Sequence, residues 1–179
     1  RRPRLRRPST RNIWLWPLGI ITSAFYIYVF FESKFYADMG LQVYYLVISV
    51  YGWWHWLYGN GNEKTDDLPV ARTSMKQWFY ISLASLALFL VMVAILVNFT
   101  DSPVPVGDAF VTALSITATW MLARKLIEQW WIWVVVNLVS LGLFIWKGLY
   151  PTSVLFFFYF TMAVVGYFQW KKDMQKQEL

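Results

Sequence analysis

Six apolar stretches divide this sequence, and basic residues gather in every second gap between them. The stretches cover residues 13–31, 39–56, 78–97, 108–121, 130–146 and 153–170. If each crosses a bilayer, the gaps alternate between two sides. One side receives the Arg-rich N-terminus, a loop with Lys64, Arg72 and Lys76, a turn with Arg124 and Lys125, and a tail with Lys171, Lys172 and Lys176. That side holds 14 of the 16 basic residues, and the other holds only Lys34 and Lys147. Basic loops stay cytoplasmic, so this distribution puts both termini of the chain inside. A missed or invented span would scramble the alternation, so the same count supports six spans. The expectation is an all-α integral membrane protein without a soluble domain, which moves something or anchors something.

Composition agrees with a lipid environment. Hydrophobic residues make up 58% of the chain, where a soluble domain has about 45–50%. The first stretch, at about 1.5 Å per residue, covers the ~30 Å hydrocarbon core. The fourth is short and dotted with polar residues, so other helices must shield it. The formal charge of +6 comes from the cytoplasmic loops and needs no nucleic-acid partner. With no cysteine, disulfides, thiolate metal sites and thiol nucleophiles are excluded. The first stretch is too long for a signal peptide and has no small-residue cleavage site, so none is expected.

The chain therefore divides into a basic cytoplasmic segment (1–12), two helices (13–56), a cytoplasmic loop (57–77), a linker helix (78–97), three helices (108–170) and a cytoplasmic tail (171–179). The loop holds Gly-Asn-Gly-Asn and Thr-Asp-Asp and reads as a mobile linker. Residues 98–107, acidic and with two Pro, read as a tight external loop.

The first two stretches resemble the last two. Trp14-Leu-Trp16 matches Trp131-Ile-Trp133 at an offset of 117, and Tyr36, Gly52 and Trp56 match Tyr150, Gly166 and Trp170 at 114. Matching stretches run in the same direction, so the repeats are parallel, as in several transporter folds. In so Trp-rich a chain the alternative is chance matching. The fourth stretch leads into the fifth through Ala123-Arg124-Lys125, and Arg7 aligns with Arg124, yet nothing apolar leads into the first. The pattern is a three-plus-one-plus-three bundle lacking its first helix, either by truncation or as a six-helix variant.

Polar residues inside the spans are ordered. Asp108, Thr112, Ser115 and Thr119 recur at helical spacing, as do Trp130, Trp133, Asn137 and Ser140. Gln42, Ser49, Trp53 and Trp56 form a third stripe, and Tyr159, Gly166 and Trp170 a looser fourth. Amides and hydroxyls beside aromatic planes suit a flat, polar, ring-containing solute, and a cationic ring adds cation–π attraction. Competing roles are helix packing for the hydroxyls and an interfacial belt for Trp14, Trp16, Trp54, Trp78, Trp131 and Trp170. Gln42 and Asn137, each with donors and an acceptor away from span ends, are the strongest lining candidates. Glu128 reads as a partner of Arg124 or Lys125, and His55 as a belt residue. No metalloprotease, nucleophile-elbow or Walker motif is present, so neither an enzyme nor an ATP motor is expected, and no cofactor or metal.

The run Glu128-x-Trp130-x-x-Trp133-x-x-x-Asn137-x-x-Ser140, preceded by Arg124-Lys125, Asp108 and Ser115, resembles a signature of the PnuC-type vitamin transporters. Tyr36-Ala37, Gln42 and Tyr51-Gly52-Trp53-x-x-Trp56 resemble the matching signature in their first repeat, and Lys147-Gly-Leu-Tyr150 with Gly166-x-x-x-Trp170 is similar too. The similarity runs from Arg11 to about Lys172. It implies a seven-helix, three-plus-one-plus-three bundle like that of SWEET-type sugar transporters. It also implies uptake of nicotinamide riboside, the vitamin B3 nucleoside, across the bacterial inner membrane by facilitated diffusion, with trapping by a cytosolic kinase. Relatives carry thiamine or riboflavin. Two departures are the absent first helix and Ser49, where a larger amide would be expected for nicotinamide riboside; the second raises thiamine. The substrate-binding set expected is Gln42, Ser49, Trp53, Trp56, Ser115, Thr119, Trp130, Trp133, Asn137, Ser140 and Tyr159. Partners would be the vitamin and the lipid bilayer, with a dimer or trimer compatible. The rival of another class is a non-transporting membrane scaffold whose polar stripes serve only packing.

Overall fold

A computed structural model describes residues 15–32, 36–58, 69–100 and 102–177. The basic segment 1–12, Trp14, Lys34 and Lys64 lie outside the described residues, and so do most of the expected mobile linker and the side chain of Tyr36. Six helices follow in order: α1 (Leu15–Glu32), α2 (Tyr36–Tyr58), α3 (Met75–Phe99), α4 (Pro105–Ala123), α5 (Gln129–Trp146) and α6 (Tyr150–Gln177). Among the described residues the only extended pairing is an isolated parallel bridge between Ala71 and Leu126. Helices α3, α4, α5 and α6 are long and apolar enough to cross a membrane, and the described part of α1 is a shorter apolar helix. In α2, 23 residues long, Gln42, His55 and a run of Trp and Tyr dilute the aliphatic residues.

The helix ends follow local chemistry. Helix α3 starts at a capping box: Ser74 Oγ accepts from the Gln77 N–H, and Gln77 Oε1 accepts from the Ser74 N–H. Helix α4 starts at Pro105, whose missing N–H costs nothing in the first turn. This moves its start three residues ahead of the apolar run. Helix α5 ends in a Schellman turn. Gly148, at φ 73°, sends its N–H to Ile145 O, and the Leu149 N–H reaches back to Phe144 O. Helix α6 continues past the apolar stretch through Lys171 and Lys172, so much of the tail is helical.

The contacts form two compact units. In the first, α1 packs on α2 with residues 123–125 at the end of α2. The Trp16 ring lies flat where a Cβ on Gly52 would collide with it. Trp56 meets Trp16 edge-on at 5.3 Å between centroids. One turn further along α1, a Cβ on Gly19 would lie 2.9 Å from Ser49 Oγ. Small residues let the two backbones approach, which is what drives helix association in lipid.

In the second unit the same geometry joins α5 to α6. Trp130 lies over Gly166 and meets Trp170 edge-on at 5.5 Å. Trp16 therefore corresponds to Trp130 at the offset of 114 that also relates Gly52 to Gly166 and Trp56 to Trp170, so the offset of 117 for the leading Trp pair gives way to a single one. Trp16 and Trp170, read as belt residues, are buried, whereas Trp54 and Trp131 are exposed. Of helices α3 to α6, α3 is the least enclosed and α4 the most. Its inward face is Ala109, Ala113, Thr117 and Met121 at every fourth residue. Thr117 donates to Ala113 O, so Ser85 of α3 is the donor in the 2.7 Å contact between the two hydroxyls.

The Trp130–Gly166 contact leaves no room for a methyl group. Gly166→Ala is expected to cost ~1–3 kcal/mol through overpacking and to lower the melting temperature of the purified protein. Gly142→Ala, where an added Cβ meets nothing within 4 Å, is the control and should not lower it.

Candidate functional site

Polar groups in a membrane bundle usually find partners within the fold, and most here do. Asp108, in the first turn of α4, accepts from Ser102 Oγ at 2.6 Å and from Lys147 Nζ at 3.2 Å, where the start of α4 meets the end of α5. Thr119 donates to Ser115 O within its own helix. Both residues are only half-buried, because α4 turns its alanine face inward instead.

Helix α5 differs. Gln129, Val136, Asn137 and Ser140 are all buried, and Trp133 between them is half-buried. Their spacing of four, three or four residues puts them on one helical face. Gln129 is 0% exposed, Ser140 2% and Asn137 4%. Neither amide atom of Gln129, nor Ser140 Oγ, meets a hydrogen-bond partner among the described residues. No side-chain hydrogen bond of Asn137 is found there either. On the opposite face Trp131 and Leu138 are exposed. A buried amide without partners is costly, which makes this face the candidate site.

The remaining expected site residues distribute unevenly. Trp56 is buried with its Nε1 donating to Ala123 O at 3.2 Å, and Lys125 Nζ stands 4.3 Å over its ring. The indole offered to a cationic ring thus already carries a cation. Trp130 is occupied by Gly166 and Trp170, although its Nε1 has no partner among the described residues. Ser49 is buried against Gly19, Gln42 is half-buried, Trp53 is partly exposed, and Tyr159 is exposed with its ring edge-on to Phe156. Trp133, Asn137 and Ser140 are the expected residues that share one enclosed face. Gln129 belongs with them and was not anticipated. The signal was present, since it stands four residues before Trp133.

Beside the start of α5 the chain is strapped down. Ile127 N donates to Ala71 O at 3.0 Å, and the Glu128 carboxylate accepts from both Thr73 N (3.0 Å) and Thr73 Oγ1 (2.7 Å). Glu128 therefore holds the segment leading into α3, rather than pairing with Arg124 or Lys125. Arg124 Nη1 donates to Tyr51 Oη at 3.4 Å. Lys125 sits at φ 51°, a left-handed conformation that closes α4 as the Leu126 N–H reaches Met121 O.

Residues 8–172 match the family described as nicotinamide mononucleotide transporter. The nicotinamide riboside transporter PnuC of Escherichia coli (strain K12) is 25% identical, covering 85% of this chain and 73% of that protein. The riboflavin/roseoflavin transporter RibM of Streptomyces davaonensis is 26% identical, covering 89% of this chain and 75% of its own. A crystal structure of the vitamin B3 transporter PnuC superposes with a TM-score of 0.66 at 24% identity, covering 92% of this chain and 74% of that one. The chain belongs to the nicotinamide mononucleotide transporter family, and it shares the PnuC fold.

Removing the Glu128 carboxylate should free the strap. Glu128→Ala is expected to raise amide hydrogen exchange over Ala71–Ser74 by on the order of tenfold or more, with α6 unchanged. Unaltered exchange there would show that the strap is held by other contacts.

Proposed function

We propose that this member of the family carries nicotinamide riboside across the bacterial inner membrane by facilitated diffusion. The observation that carries the reading is the enclosed α5 face, where Trp133, Asn137 and Ser140 bring an aromatic plane, an amide and a hydroxyl together, and where Ser140 Oγ and the Gln129 amide have no partner among the described residues. A nicotinamide nucleoside has complementary groups: a flat cationic ring for the indole, and a carboxamide and ribose hydroxyls for the polar side chains. The PnuC relatives point to the same solute.

In this reading the candidate set also includes Gln42, Ser49 and Trp53 of α2, while Trp56 packs on Trp16 within the first unit and Trp130 on Gly166 within the second. Ser115, Thr119 and Tyr159 complete the candidate set. Helices α1–α2 and α4–α6 belong to parallel repeats of a three-plus-one-plus-three bundle, with α3 as linker. The support is the Trp–Gly–Trp contact that recurs at one offset within each unit. Release follows rocking of one repeat against the other. The basic loops favour cytoplasmic termini, and a cytosolic kinase would make uptake one-way by adding a charged phosphate. No ion-coupled step is needed: Asp108 is engaged by Lys147 and Ser102.

A second solute is favoured by one observation: RibM, a riboflavin/roseoflavin transporter, is as similar to this chain as the PnuC proteins are. Thiamine remains the outcome that Ser49 would favour. Titration of the purified protein with nicotinamide riboside, riboflavin and thiamine separates them, because the solute that binds the folded state raises its melting temperature saturably. No shift with any of them would favour a scaffold.

Asn137→Leu is expected to abolish saturable uptake of nicotinamide riboside into proteoliposomes while leaving the melting temperature of the unliganded protein within a few degrees. Wild-type uptake by that variant would overturn the assignment of the site.

A further inference from the structure

Gln129 opens α5 with none of its surface exposed. Its backbone is accounted for, the N–H donating to Leu126 O at 3.3 Å. Its side chain is not: Oε1 and Nε2 are both buried and both without a partner among the described residues. The neighbours on either side are committed, Glu128 to Thr73 and Trp130 to Gly166. Glutamine carries one acceptor and two donors, and folded interiors seldom leave both ends of one amide dry. Methionine or leucine would fill the same volume without that penalty. An amide kept here is one whose partner arrives and leaves.

The position says where that partner travels. Gln129 lies on the α5 face of Trp133, Asn137 and Ser140, about 6 Å along the axis from Trp133 and about 12 Å from Asn137 at 1.5 Å per residue. It stands at the end of the face that the basic loops assign to the cytoplasm. We propose that Gln129 is a substrate-binding residue at the inner end of this path, which reads a primary carboxamide on the solute. The assignment rests on the transport reading above. A carboxamide offers an acceptor and a donor side by side, so it pairs with a glutamine amide through two hydrogen bonds of opposite direction. A ketone or a carboxylate in the same place supplies acceptors only and leaves the Gln129 carbonyl unpaired.

The test compares nicotinamide riboside with the analogue in which a methyl ketone replaces the carboxamide, on the full purified chain. Wild-type protein is expected to bind nicotinamide riboside about tenfold more tightly than the ketone. In Gln129→Met the two affinities should fall within about twofold of each other, and the melting temperature without ligand should be equal or higher, because an unpaired amide has been removed. Gln129→Asn, with the same chemistry withdrawn by one methylene, should also narrow the gap and serves if the Met variant is poorly behaved. An undiminished gap in both variants overturns the assignment, as does a lowered unliganded melting temperature in both, which would give Gln129 a purely structural role. Wild-type protein that binds neither compound overturns the transport reading and this assignment with it.

Discussion

The contact on which each helix pair depends is an indole lying flat on a glycine. In lipid an apolar side chain gains little by leaving acyl chains for a neighbouring helix, so association rests on close van der Waals fit. Trp16 on Gly52 and Trp130 on Gly166 supply that fit, and in each case a second indole stands edge-on against the first. The contact also fixes how α5 is rotated. With Trp130 turned onto α6, Trp131 and Leu138 face outward, while Gln129, Trp133, Asn137 and Ser140 share the enclosed side. A packing interaction thereby determines which side chains of α5 are enclosed.

The satisfied polar groups are distributed selectively. Asp108 holds both Ser102 and Lys147, Thr117 joins α3 to α4, and Glu128 takes two donors from Thr73. Among the described residues the buried side-chain atoms without a partner are Gln129 Oε1 and Nε2 and Ser140 Oγ on one face of α5, together with the indole Nε1 of Trp16 and Trp130. Three of these five atoms fall on one face of one helix, a concentration of the kind expected at a working surface.

Much of this was legible in the sequence, and the exceptions have physical causes. Hydropathy found all six helices, and the spacing of Trp133, Asn137 and Ser140 identified their common face. Helix starts were misplaced where polar chemistry, not hydropathy, begins a helix, as at Ser74 and Pro105. Gln129 was hidden because it sits at the edge of the apolar run, beside charged residues that suggest a solvated turn. Trp16 and Trp170 looked like interfacial residues, since nothing in their identity reveals that glycines face them. Ser115 and Thr119 stood out as polar, but alanines, with less to keep apart, proved the better close-packing face of α4. Glu128 was matched to the nearest cations in sequence, whereas the fold brings Thr73 to it from 55 residues away.

The partners of the three best-placed indoles have a property in common. Trp16 and Trp130 rest on glycines, and Trp56 donates to the main-chain carbonyl of Ala123. In each pair only one member contributes a side chain. Drift at position 123 through other small residues would leave the Trp56 acceptor where it is, since every amino acid carries that carbonyl. At positions 52 and 166 the tolerance is reversed, because any side chain at all intrudes. The architecture therefore asks for very few letters: an indole at one point and, opposite it, either a vacant position or one that can vary among small residues. Chains that have diverged widely in sequence can keep this scaffold while the lining of the path changes.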